Sequence, residues 1–246
     1  MPALRLVTYN VHACVGTDRR VSVERIARVL AQLDADLVAL QELDCGRRRT
    51  GFRHQAQEIA SLLQMHHHFH PSISFAQGRY GNAVLSRFPL QVRRTAPLPG
   101  PPAPFPGEPR AAIWVSFQWQ GREVHLINTH LGLLRSERAR QVAELLGPRW
   151  LGHPECRRPQ VLCGDFNFTP RSAEYRSLAA RLGEARRLSG QRAPARTWPG
   201  AMPLTCLDHV FLSEGLRVLS VQAPRNALTR VASDHLPLVV EFQLSE

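Results

Sequence analysis

The stretch Pro159-Gln160-Val161-Leu162-Cys163-Gly164-Asp165-Phe166-Asn167 decides the reading of this chain. Its apolar part reads as a buried strand over about 159–164, and it stops at a carboxylate and a carboxamide two residues apart. Side chains of an extended backbone alternate, so Asp165 and Asn167 are expected on one side, projecting from the mouth of a sheet. An Asp there can take a proton or orient water, and an Asn can donate to an oxyanion. Asp-Phe-Asn also suits an ordinary strand-to-turn transition, so its company has to decide.

Six other apolar segments end in the same way. They are Thr8-Tyr9-Asn10, Leu40-Gln41-Glu42, Tyr80-Gly81-Asn82-Ala83, Ile127-Asn128-Thr129-His130, Leu207-Asp208-His209 and Ser233-Asp234-His235. One polar strand end is ordinarily a solvated terminus. A whole set bearing Asn, Glu, Asp and His points to convergence on one site. A hard divalent cation wants carboxylates, amide oxygen and water, and Glu42 and Asn10 supply those types. Phosphoester hydrolysis needs a water made nucleophilic, and Asp165 and His235 fit that task. The His needs a carboxylate on its other ring nitrogen, for which Asp208 and Asp234 are the candidates.

The elements between these ends alternate early and pair later. A strand over Leu4–Asn10 precedes a helix capped by Ser22, with Val23, Ile26, Ala27, Leu30 and Leu33 on one face. The run 36–40 reads as a strand covered on both faces, and about 53–64 as a second helix. Residues 67–91 suggest two or three strands broken at Gly78 and Gly81, and 97–109, with seven prolines and two glycines, a loop. A hairpin is expected over 111–129 around Gln120-Gly121, then a helix from Ser136 to the stop at Gly147-Pro148. Later strands fall near 207–212, 216–222 and 237–242. The mixture suits two packed sheets with helices outside, an α/β chain whose residues 1–246 read as one domain.

With 43% hydrophobic residues the chain can build a large core without disulfides or structural metal. Its 31 basic residues are all Arg against 20 acidic ones, a net charge of +11. The absence of lysine reads as base-composition bias, but the positive sign favours nucleic acid or an anionic phospholipid headgroup as partner. Five cysteines without CxxC spacing read as reduced thiols of a cytoplasmic protein. The N-terminus carries no cleavage signature, and no window approaches the roughly 18 apolar residues of a membrane span. The expectation is a monomer with no transmembrane segment.

Taken in order from Asn10 to His235, the motifs resemble the endonuclease/exonuclease/phosphatase family of metal-dependent phosphoesterases, which includes pancreatic-type DNases, apurinic endonucleases, sphingomyelinases and inositol-polyphosphate 5-phosphatases. The resemblance implies a four-layer α/β/β/α sandwich of two mostly antiparallel sheets flanked by helices. It implies Mg²⁺ or Mn²⁺ on Glu42, assisted by Asn10 and Asp234. Asp165 would position or deprotonate the attacking water. His235, paired with Asp208, would stabilise the pentacovalent phosphate or serve as acid/base, and which of Asp165 and His235 is the base stays open. Asn167, Asn82 and Arg110, the last in Glu108-Pro109-Arg110, are the expected phosphate contacts. Asn128-Thr129-His130-Leu131 looks like the version in sphingomyelinases, 5-phosphatases and deadenylases, with His130 on the scissile phosphate. His12 departs from the Asp that apurinic endonucleases carry two residues after the first Asn.

The expected activity is Mg²⁺-dependent hydrolysis of phosphodiesters, with nucleic acid as leading substrate. A phospholipid or phosphoinositide phosphoesterase is the alternative, and a non-catalytic phosphate-binding module the third reading. Arg47-Arg48-Arg49 reads as a phosphate-tracking edge or a solvated loop, and Trp198 as a stacking residue or an inward-packed one. His66, His67, His68 and His70 lack a nearby carboxylate, which argues against a second metal there.

Overall fold

The computed structural model describes residues 2–101, 104, 107–191 and 195–245. In chain order the elements are β1 (Leu4–Asn10), α1 (Val23–Leu33), β2 (Leu37–Cys45), α2 (Gln55–Leu63), β3 (His66–Ser74) and β4 (Arg79–Ser86). There follow β5 (Gln91–Pro97), β6 (Ala111–Trp119), β7 (Arg122–His130), α3 (Arg135–Leu146), β8 (Gln160–Asp165) and α4 (Ala173–Ala179). The chain closes with β9 (Gly183–Glu184), α5 (Ala185–Leu188), β10 (Asp208–Leu212), β11 (Leu216–Gln222), α6 (Ala227–Ala232) and β12 (Leu238–Leu244).

Two six-stranded sheets form, in the orders β11-β12-β1-β2-β4-β3 and β5-β6-β7-β8-β10-β9. At the middle of each lies a parallel pair, β1/β2 and β7/β8, and the remaining pairings are antiparallel. Alternation along the central strands divides each between two cores. Leu6, Leu126, Val161 and Cys163 pack between the sheets. Val7 and Tyr9 face the opposite way, onto a layer with Ile26 and Leu30 of α1 and Ile59 of α2. Ile127 and Leu162 meet Val142 and Leu145 of α3 and Leu178 of α4. Covered on both faces, the central strands read as continuous apolar runs, and the result is the four-layer α/β/β/α sandwich. Truncating one of these buried leucines to Ala costs about 2–5 kcal/mol.

Local signals explain the elements. Ser22 accepts a hydrogen bond from Arg25 N at 3.1 Å and starts α1. Gln120 and Gly121, at φ 50° and 75°, form the tight two-residue turn between β6 and β7. Gly81 does not break a strand as expected but lies inside β4, where a Cβ would meet the His70 carbonyl oxygen at 2.1 Å. The short elements α4, β9, α5 and α6 were not expected, because none is long enough to show a period. The proline-rich stretch carries no regular element beyond Pro97 among its described residues, and 102, 103, 105 and 106 lie outside them. All five cysteines are buried and free. Among the described residues, no helix is long and apolar enough to cross a membrane.

Candidate active site

The parallel pairs end at one rim of the sandwich, and their registers bring the polar strand ends together. Asn10 pairs with Gln41 across β1/β2, and His130 with Asp165 across β7/β8. Asp208, the first residue of β10, pairs with Asp165 from the other side. A cleft of about 720 Å³ opens there, lined by Asn10, Glu42, Arg110, His130, Asp165, Asn167 and His235, among others.

Backbone conformation aims the key groups. Glu42 has φ 63° and lies where the β2/β4 register slips between Leu40 and Leu43, a bulge that turns its side chain to the cleft. Asp165 is the last residue of β8, behind Gly164 at φ 143°, where a Cβ would stand 1.9 Å from the Thr129 carbonyl oxygen. Only glycine allows β7 and β8 to approach that closely. Asn167 is not on extended backbone. It adopts φ 51°, and its N–H donates to Asp165 Oδ1 at 2.9 Å. A side-chain-stabilised turn, not strand alternation, therefore brings Asp165 and Asn167 together, because Asn tolerates the left-handed region.

Two hydrogen-bonded groups meet on the Asp165 carboxylate. Asn10 Nδ2 donates to Glu42 Oε1 at 2.9 Å and to Asp165 Oδ2 at 3.0 Å. On the other side, His235 Nε2 lies 3.6 Å from Asp165 Oδ2, while its Nδ1 is 2.9 Å from Asp208 Oδ2. Of the two orienting candidates, Asp208 is the partner. Burial opposes a charged His235 ring, but Asp208 and Asp165 outweigh it and raise the pKa to about 10. Burial also raises Asp165 to about 6, partly offset by His235. Both carboxylates favour a proton on the His235 ring.

His130 is held neutral, its pKa pushed well down by burial and by Arg110 and His235. Arg110 donates to His130 Nδ1 at 3.0 Å, which leaves the ring proton on Nε2, 3.6 Å from Asp165 Oδ2. The Arg110 fork also holds Glu108 at 2.7 Å. Asn167 Nδ2 donates to the Leu131 carbonyl at 2.9 Å and lies 3.1 Å from His130 Nε2.

The oxygen donors fit a hard divalent cation. Glu42 and Asp165 converge on one amide nitrogen, and no Arg or His lies within ion-pair distance of Glu42 among the described residues. Such a pair of carboxylates lacks a counter-charge on the Glu42 side, and an all-oxygen donor set suits a hard divalent cation. Asn10 presents its NH₂ to both carboxylates, while its Oδ1 accepts from the His12 N–H at 3.1 Å. Asp234 lines the rim, its Oδ1 3.9 Å from His12 Nδ1. Asp165, Asp208 and His235 also have ligand atoms within 4.8 Å of one another. Within this trio His235 Nδ1 and Asp208 Oδ2 already bond each other at 2.9 Å.

Asn82 does not meet the cleft. It is 3% exposed, and its Nδ2 donates to the Ala111 carbonyl at 3.1 Å, joining the sheets beneath the site. The expectation that it contacts phosphate fails because Asn82 lies deeper between the sheets than Tyr80, which shares its face of β4. Asn128 is likewise a clamp, donating to the Leu40 and Ala83 carbonyls at 3.0 and 2.9 Å. Sequence reasoning missed Tyr80, which lines the cleft and whose phenol is raised by burial and by Glu42. Its signal was two-residue spacing from Asn82, on the same face but nearer the mouth. Trp198 lines the cleft and is 39% exposed. The His66–His70 run lies on the edge strand β3, outside any metal-holding cluster among the described residues.

A β/β sandwich with paired carboxylates, amides and a carboxylate-bound His at one rim defines a phosphoesterase-type site. The model of the endonuclease/exonuclease/phosphatase family matches residues 7–235, and the chain belongs to that family. Its members hydrolyse phosphoesters and generally depend on a divalent metal. The chain is 26% identical over 256 residues to the uncharacterized protein YbhP of Escherichia coli K12, covering 98% of this chain and 97% of that one. It also resembles the endonuclease/exonuclease/phosphatase from Bacteroides vulgatus, at 18% identity and a TM-score of 0.79 over 100% of both chains. The human Nocturnin catalytic domain with bound sulfate superposes with a TM-score of 0.72 at 22% identity, covering 99% of this chain and 94% of that one. At these identities the two structures support the fold alone.

Proposed function

We propose that the protein is a Mg²⁺- or Mn²⁺-dependent phosphodiesterase acting on nucleic acid. The carrying observation is the Asp165 carboxylate, held between the Asn10–Glu42 pair and the His235–Asp208 pair in one cleft. Glu42, with Asn10 beside it, would hold the divalent cation, which would supply charge neutralisation at the scissile phosphate. Asp165 accepts the proton of the attacking water, its orientation fixed by Asn10 and the Asn167 N–H. His235, protonated and oriented by Asp208, donates from Nε2 to a phosphoryl or leaving oxygen. The two carboxylates around the His235 ring favour its protonated form, which supports Asp165 as the base and His235 as the acid. His130 Nε2–H and the Asn167 amide donate to the phosphate, with Arg110 behind them.

The test is hydrolysis of bis-p-nitrophenyl phosphate and a single-stranded oligonucleotide with Mg²⁺, with and without EDTA. Equal rates for wild type and Asp165→Ala would overturn the residue roles. A phospholipid headgroup is the second reading, supported by Leu133, 71% exposed on the cleft lining. Headgroup release from anionic vesicles with DNA left intact would favour it.

A further inference from the structure

We infer that the cleft carries a phosphate subsite on each side of the scissile bond, so that the substrate is a single nucleic-acid strand cut at internal positions. This rests on the phosphodiesterase reading above and adds how the strand lies. The centre of the cleft carries no net basic charge: Glu42, Glu108, Asp165 and Asp234 on its lining balance Arg47, Arg49, Arg110 and His235, and Arg49 and Arg110 are already bound to Asp44 and Glu108. A polyanion gains little affinity there beyond the scissile phosphate itself. Its other phosphates must be held elsewhere.

The cleft opens at two places into basic annexes. One, of about 430 Å³, is lined by Arg135, Arg138, Arg171 and Arg176, and shares Asn167 and Leu207 with the centre. The other, of about 570 Å³, is lined by Arg47, Arg48, Arg49, Phe75 and Gln77, three of which also line the centre.

Some of these arginines are already engaged. Arg49 forks onto Asp44 at 2.7 and 2.8 Å, and Arg138 donates to the Leu133 carbonyl. Arg47 lies over the Phe75 ring at 3.5 Å. Arg48, Arg171 and Arg176 have no side-chain hydrogen bond or ion pair among the described residues, and Arg135 has only Glu174 at 4.0 Å. Neither oxygen of buried Glu174 has a hydrogen-bond partner, so it acts as a fixed charge beneath Arg135. Free guanidiniums thus stand in both annexes. A pocket for a terminal phosphate needs only one. On the lining of the central cleft Trp198, 39% exposed, offers an aromatic surface for an unpaired base, which favours a single strand over a duplex.

The test uses circular single-stranded DNA, which has no ends. Wild type with Mg²⁺ is expected to linearise it. The triple variant Arg135→Gln/Arg171→Gln/Arg176→Gln, with its fold checked by thermal unfolding, is expected to raise KM for a 12-mer at least tenfold while kcat changes far less. The slope of log KM against log salt should fall by roughly 2, at about 0.7 per lost single-strand phosphate contact. Intact circles beside linear strands shortened from an end would overturn the inference. So would an unchanged KM and salt slope in the triple variant, or vesicle headgroup release with DNA inert. Wild-type turnover of bis-p-nitrophenyl phosphate separates the two levels. If it is present, these outcomes remove the flanking subsites alone. If it is absent, the phosphodiesterase reading falls with them.

Discussion

The parallel pairs β1/β2 and β7/β8 hold equivalent places, third and fourth in their sheets, yet their C-terminal ends are built for different chemistry. β1/β2 presents the partly exposed Glu42 carboxylate, which solvent and an exchangeable ion can reach, beside the Asn10 amide, 2% exposed. β7/β8 presents His130 and Asp165, 4% and 1% exposed, where proton affinities are shifted by burial. The difference teaches how one architecture divides the work. On the proposed reading, a carboxylate that solvent reaches can take a hard cation with little desolvation, whereas groups buried in a low dielectric have their proton affinities shifted. His235 joins the halves: it precedes β12 of the first sheet and binds Asp208 of the second.

The largest expected effect breaks the buried end. Asp165→Asn should lower kcat on bis-p-nitrophenyl phosphate by about 10³-fold or more, with circular dichroism unchanged. At the open end, Glu42→Gln should weaken apparent Mg²⁺ affinity by about 10–100-fold, read as the metal concentration for half-maximal rate, and excess metal should restore part of the activity. EDTA should abolish wild-type activity, and Mg²⁺ or Mn²⁺ should return it.

Gly164→Ala tests the close approach that supports β7/β8. A Cβ 1.9 Å from a carbonyl at φ 143° should destabilise the fold by about 3 kcal/mol in chemical unfolding. Asp208→Asn sharpens the comparison through pH. His235 is raised from 6.5 to about 10, so its ionisation stabilises the folded state fully below pH 6.5, and this contribution is lost as pH rises through about 10. In EDTA, the variant should lose most of this alkaline dependence in thermal unfolding and titrate His235 at lower pH by NMR. The smallest effect belongs to Asn82→Ala, which should cost about 1 kcal/mol of stability through the orphaned Ala111 carbonyl and leave KM unchanged.

Much of the site was legible because strand-end grammar survives without coordinates. Asn10, Glu42, His130, Asp165 and His235 all line one cleft, and periodicity gave α1 and α2 through their apolar faces. Asn82 misled because it is no strand end: it lies inside β4 (Arg79–Ser86), and spacing does not tell how deep in a strand a polar residue sits. The turn at Asn167 misled because a left-handed residue leaves the same two-residue spacing as a strand. The bulge that aims Glu42 leaves no composition signal.

The sequence by itself determined the two-sheet class, the order of the strand-end motifs and the residue types that can hold a cation and move a proton, since all three depend on local pattern. Only the tertiary structure decided that Asp208 rather than Asp234 holds His235, that burial raises the Asp165 carboxyl, and that arginine-lined annexes adjoin the central cleft. Those facts are distances and burials between segments far apart in the chain. Electrostatic energy depends on such distances and on the surrounding dielectric, which neither spacing nor composition encodes.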